Sequence, residues 1–99
     1  MSMTRFTFTA EVWEHGGASS WFFLSLPEDE ADEIDEMFAH KAAGFGSIRV
    51  QITIGHTTWA TSIFPDTKRG TYVLPVKKAV RLKEHLVHGS VVQVALDVI

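Results

Sequence analysis

Ile48-Arg49-Val50-Gln51-Ile52-Thr53-Ile54-Gly55-His56-Thr57 alternates an aliphatic with a polar residue and then turns on a Gly-His pair. Side chains of an extended chain point to alternate faces, so Ile48, Val50, Ile52 and Ile54 share one face and Arg49, Gln51 and Thr53 the other. A helix would scatter the same four aliphatics around its circumference. Residues 47–54 are therefore a strand buried on one side, Gly55-His56 is a tight two-residue hairpin turn, and residues 57–64 return as the partner strand.

The same period of two recurs on either side. Within residues 4–13, Phe6, Phe8, Ala10 and Val12 alternate with Thr7, Thr9 and Glu11. Glu14-His15-Gly16-Gly17-Ala18-Ser19-Ser20 follows as a flexible turn. Residues 21–26, Trp-Phe-Phe-Leu-Ser-Leu, make a short second strand partly covered on both faces. Pro65-Asp66-Thr67-Lys68-Arg69-Gly70 is a loop of turn formers, residues 71–74 are a short strand, and residues 91–99 form the last one, with Val92, Val94, Leu96 and Val98 on one face.

Two segments change period. Pro27 opens a helix where its missing N–H costs nothing. The acids after it suit the positive end of the helix dipole, and Ala31, Ile34 and Phe38, with Met37 beside them, form a stripe spaced by three and four. The helix frays near His40 and Lys41, and Gly44 and Gly46 end it. A second helix is expected over residues 76–87, with Val76, Ala79, Val80 and Leu86 inward, Lys77, Lys78, Arg81 and Glu84 outward, and Gly89 as its stop. The order β-β-α-β-β-β-α-β contains no series of parallel crossovers, which excludes a doubly wound sheet. Six short strands around one small core predict a mainly β fold, a closed or nearly closed barrel with the helices plugging its open ends.

Ninety-nine residues suit one domain spanning the whole chain. The absence of cysteine excludes disulfides and thiolate metal sites and fits a reducing compartment. With no signal-like start and no apolar run of membrane-spanning length, the expectation is a soluble cytoplasmic protein without a membrane partner. The net charge of −3 is mild, yet Glu28, Asp29, Glu30, Asp32, Glu33, Asp35 and Glu36 crowd into nine residues, and Lys68, Arg69, Lys77, Lys78, Arg81 and Lys83 into sixteen. One side of the molecule is expected to be acidic and another basic.

No pattern of residues announces catalysis. His85 and His88 stand three apart, but a metal needs further ligands, and a helix C-terminus favours such side chains without one. His15, His40 and His56 fall in turns or at a helix end. No serine or threonine sits in a nucleophile elbow. The acidic run reads as a solvated face. Gly44-Phe45-Gly46 follows a helix rather than opening one, unlike a phosphate loop. The basic loop and helix, Lys68, Arg69, Lys77, Lys78 and Arg81, form a candidate anion patch. Trp13, Trp21, Trp59 and Tyr72 exceed what a narrow interior holds, and Trp13 is out of phase with the apolar face of its strand, as at a ligand groove or interface.

Several stretches carry a family resemblance: Phe6-Thr7-Phe8-Thr9-Ala10-Glu11-Val12, Trp21-Phe22-Phe23-Leu24-Ser25-Leu26-Pro27, Ile48 to Gly55, Gly70-Thr71-Tyr72-Val73-Leu74-Pro75-Val76-Lys77-Lys78-Ala79-Val80-Arg81, and Gly89-Ser90-Val91-Val92-Gln93-Val94. The chain resembles the bacterial family called domain of unknown function 1905 over nearly its whole length, most specifically in Leu-Pro-Val-Lys-Lys-Ala-Val-Arg. The resemblance implies a six-stranded split β-barrel with helical caps, similar to the barrel of AbrB-type transition-state regulators, and brings no catalytic residues. Some relatives join this domain to a second one resembling bacteriocin-protection proteins. The family usually has Gly-Asp before the last strand, where Ser90 follows Gly89 here.

Three functions are weighed. The first is a non-enzymatic binding module without cofactor or metal, taking a small anionic ligand or a protein at Lys68, Arg69, Tyr72, Lys77, Lys78, Arg81 and Trp13. The second, less favoured, is a DNA-binding transcriptional regulator by likeness to AbrB-type barrels. The third is a small enzyme acting on an anionic substrate through Arg81, Tyr72 or a histidine gathered in one pocket. Segregated charge and surplus tryptophan also make a homodimer an expectation.

Overall fold

A computed structural model describes residues 5–16 and 20–99. The expected strand start at Thr4 and the middle of the Gly-rich turn, residues 17–19, lie outside the described residues. The elements run β1 (Arg5–His15), β2 (Trp21–Ser25), α1 (Glu28–Phe38), β3 (Ile48–Ile54), β4 (Thr57–Asp66), β5 (Thr71–Pro75), α2 (Lys78–Glu84) and β6 (Val91–Val98), with 3-10 turns at Ala39–Lys41 and Gly44–Gly46. This is the expected order, and the strands close into one antiparallel barrel, β1-β2-β5-β4-β3-β6.

Two strands make the closure possible because each serves two sheets. β1 pairs with β6 from Arg5 to Glu11 and with β2 from Val12 to His15. β4 pairs with β3 up to Ile63 and with β5 from Phe64 to Asp66. Pro65 fits inside a strand for this reason: β3 has already left β4 there, so the nitrogen without a hydrogen faces an unpaired side. The alternating faces then fall into register. Phe6, Leu96, Ile52 and Trp59 are successive partners across four strands and all are buried. Val12, Leu24 and Leu74 repeat the pattern on the other sheet.

The helices fill the core from outside the ring. α1 buries Ala31, Ile34 and Phe38, and Phe38 meets Phe6 edge-on at 6.5 Å between ring centres. α2 differs from its expected form. It spans seven residues, and His85 ends it in the left-handed region at φ 56, well short of Gly89. Within it only Val80 is buried, and Ala79 is exposed. A helix this short meets the barrel along a narrow line, so the inward residues Val76 and Leu86 lie before and after it.

The hairpin turn is as the sequence requires. Ile54 pairs with Thr57, and Gly55 takes positive φ while His56 does not, the glycine-first pattern of a II′ turn. The carboxylate of Glu84, expected to point outward, lies against this turn. Its Oε2 accepts from the Thr57 hydroxyl at 2.6 Å and from the His56 N–H at 3.3 Å. A Cβ on Gly55 would collide with Glu84 Oε1.

Candidate functional site

The bend of β4 creates the most distinctive surface of the molecule. β5 accompanies β4 only at Phe64–Asp66, so the upstream half of β4 separates from it, and α2 bridges the gap. The Val76 N–H donates to the Phe22 carbonyl at 2.9 Å, which carries the β2–β5 pairing one residue past the strand and fixes where α2 begins. Between these elements lies a groove of about 400 Å³. β2 supplies Trp21 and Phe22, β4 supplies Trp59, Ala60 and Thr61, and the passage into α2 supplies Pro75, Val76, Lys77, Lys78 and Arg81. The lining holds three cations and no acid.

Arg81 is held in place. Its Nε donates to the Val76 carbonyl at 3.1 Å and its guanidinium carbon sits 3.9 Å above the centre of the Phe22 ring. Such a stacked guanidinium keeps donors for a second, planar partner. Among the described residues, the ion pairs are Arg5–Asp97 and Arg69–Asp66, so Lys77, Lys78 and Arg81 enter none. An aromatic floor that sheds water, beside unpaired cations, suits a ligand with a flat apolar body and a negative end.

The other sequence candidates lie elsewhere. Trp13 is on the outside of the barrel, where its Nε1 donates to the Ser25 hydroxyl at 3.0 Å and its ring packs on Phe23 at 4.9 Å. Arg69 lies over Trp13 with its guanidinium carbon 4.1 Å from the ring centre, and pairs with Asp66 at 2.9 Å, so its charge is already engaged. Burial pushes the Asp66 carboxyl up, but the hydrogen bonds and charge of Arg69 and the Lys68 N–H together hold it below the usual range. Lys68 is exposed on the same loop. Tyr72 is buried and turned toward α1, with its hydroxyl donating to Asp35 Oδ1 at 3.2 Å. Burial, then the Asp35 charge and hydrogen bond, push its pKa up to about 12. It belongs to a separate groove of about 280 Å³ beside α1, whose charged lining is Asp32, Asp35 and Asp66.

Trp21 and Trp59 were legible only as surplus aromatics, and Phe22 only as part of a short apolar strand, since two segments distant in sequence, β2 and β4, bring the floor together. The histidines are dispersed. His85 ends α2, and His88 follows it, with Nδ1 accepting the Glu14 N–H at 3.0 Å. Among the described residues no group of three histidines, aspartates or glutamates could hold a metal ion, and no helix is long and apolar enough to cross a membrane.

A family model described as Domain of unknown function (DUF1905) matches residues 8–96, from within β1 to within β6. No curated protein matches the chain.

Proposed function

We propose, given that this chain belongs to the family described as Domain of unknown function (DUF1905), that it acts as a non-enzymatic binding module for a small anionic ligand with a flat apolar body. The observation that carries this reading is the α2 groove, in which Lys77, Lys78 and Arg81 border Trp21, Phe22 and Trp59 with no acid among them. The enzyme reading needed Arg81, Tyr72 and a histidine in one pocket. Arg81 and Tyr72 line different grooves, which removes its motive. A duplex-DNA regulator needs cations spread along a strip matching the phosphates. Here Lys77, Lys78 and Arg81 gather at one end of β2, while α1, at the other, carries seven acids.

Isothermal titration with 2-naphthoate, a flat aromatic anion, against neutral 2-naphthylmethanol tests the reading, with tryptophan fluorescence reporting on Trp21 and Trp59. The anion should bind at least tenfold more tightly, a difference of about 1.4 kcal/mol. The Lys77→Gln/Lys78→Gln variant should lose that preference while Lys68→Gln keeps it. Equal affinity for both compounds, or a preference that survives in the double variant, overturns the reading.

A further inference from the structure

The outer face of the sheet β1-β2-β5-β4 carries an apolar band in which, among the described residues, the Arg69 guanidinium covers Trp13 while Trp21 and Phe64 stay open to solvent. Register lines up Trp13, Phe23 and Pro75 across three strands, and Ser25, Val73 and Phe64 across the next row. Trp21 stacks on Phe23 with ring centres 6.5 Å apart, and Phe23 on Trp13. Trp21 is 60% exposed and Phe64 38%. The exposed rings of Trp21 and Phe64, flanking the half-buried Phe23 and Trp13, mark a surface made for contact.

The charges bordering this band say what covers it. β2 passes through Leu26 and Pro27 directly into α1, which puts the exposed Glu28 and Asp29 at one end of the band. β5 runs antiparallel to β2 and passes through Val76 into α2, which puts the exposed Lys77 and Lys78 at the other end. Of the bases near the acidic end, Arg69 has its charge taken up by Asp66, and Lys68 stands as one exposed cation beside the seven acids of α1. β2 is five residues long, about 17 Å of strand. A two-fold axis through the middle of this face reverses its ends, so that each acidic end of one copy meets the basic end of the other. A two-fold contact needs such a self-complementary patch.

We infer that the face formed by Trp13, Trp21, Phe23 and Phe64 docks a second copy of this chain, with Glu28 and Asp29 of each copy opposite Lys77 and Lys78 of its mate. This goes beyond the groove reading, and because Trp21, Lys77 and Lys78 belong to both surfaces, the second copy and the anion compete for them. Phe64 lies outside the groove, and naphthoate titration of a Phe64→Glu variant reads the groove without the dimer.

Sedimentation velocity at low salt tests the inference, with far-UV circular dichroism confirming the fold of each variant. The wild-type chain should sediment at twice the chain mass, and more weakly so at high salt. Phe64→Glu should halve the mass. Glu28→Lys/Asp29→Lys and Lys77→Glu/Lys78→Glu should each be monomeric alone, because both ends of each then carry one sign. Mixed together, they should form a one-to-one dimer. A monomeric wild-type chain, a mixture that stays monomeric, or a dimer indifferent to both charge reversals overturns the inference. So does a monomer that instead takes a thymidine oligonucleotide through Trp21.

Discussion

Glu84 ties α2 to the β3–β4 hairpin, and Gly55 leaves it the room to do so. Replacing Glu84 by alanine hands the Thr57 hydroxyl and the His56 N–H to water and should cost about 1 kcal/mol. Gly55→Ala places a side chain at φ +59, itself worth about 1–2 kcal/mol, and also drives the carboxylate from its partners. The two changes are therefore coupled. In a Glu84→Ala background, Gly55→Ala should cost only the backbone strain, and urea unfolding of the four proteins in the cycle should show less than additive loss. Tyr72 gives a pH signature. Its pKa is about 12 in the folded chain and near 10 when unfolded, so its contribution is fully present below pH 10 and is lost as pH rises to 12. Tyr72→Phe should lower stability by about 1 kcal/mol at neutral pH. Between pH 10 and 12 its urea midpoint should fall less steeply than that of the wild-type chain. Asp66 works on the opposite limb, where its depressed pKa gives stability above the usual carboxylate value that is lost as pH falls through the folded one.

At the scale of elements, α2 is the shorter helix and the one the site depends on. It has no side-chain cap at its start, and His85 holds a left-handed conformation at its end. His85→Gly should relieve that strain and raise the thermal midpoint, corresponding to about 1 kcal/mol, without touching the groove lining. The helix also shows where the sequence stops being readable. β1, β3 and β6 announced themselves by a period of two, which survives because each has one face in the barrel, whereas β2 stood out as a short aromatic run. A left-handed histidine leaves no such trace, so nothing short of Gly89 signalled the end. Ala79 had the spacing of an inward residue, but spacing presumes a helix packed along its length. The groove divides in the same way. Lys77, Lys78 and Arg81 are neighbours in sequence and stood out as a basic cluster. Their aromatic floor comes from β2 and β4, and only the splitting of β4 from β5 brings those segments to α2.

For the molecule as a whole, the pairing of β1 with β6 decides how the barrel comes together. Arg5 and Asp97 are register partners, joined by two side-chain hydrogen bonds, and stand 92 positions apart. The β3–β4 hairpin, by contrast, closes over two residues. Joining chain ends that far apart costs about 4 kcal/mol of loop entropy, so the seam should close last, after the local pairs have formed. The two regions then carry different kinetic signatures. Thr9→Gly, in the seam opposite Gln93, which pairs with no residue of β3, should accelerate unfolding and leave the refolding rate nearly unchanged, whereas Gly55→Ala should slow refolding. Stopped-flow chevrons would show the first change in the unfolding arm and the second in the folding arm. A ring that closes last is also one that opens first, so the lifetime of the native state is set at the seam between the first and last strands, however firmly the hairpin opposite is made.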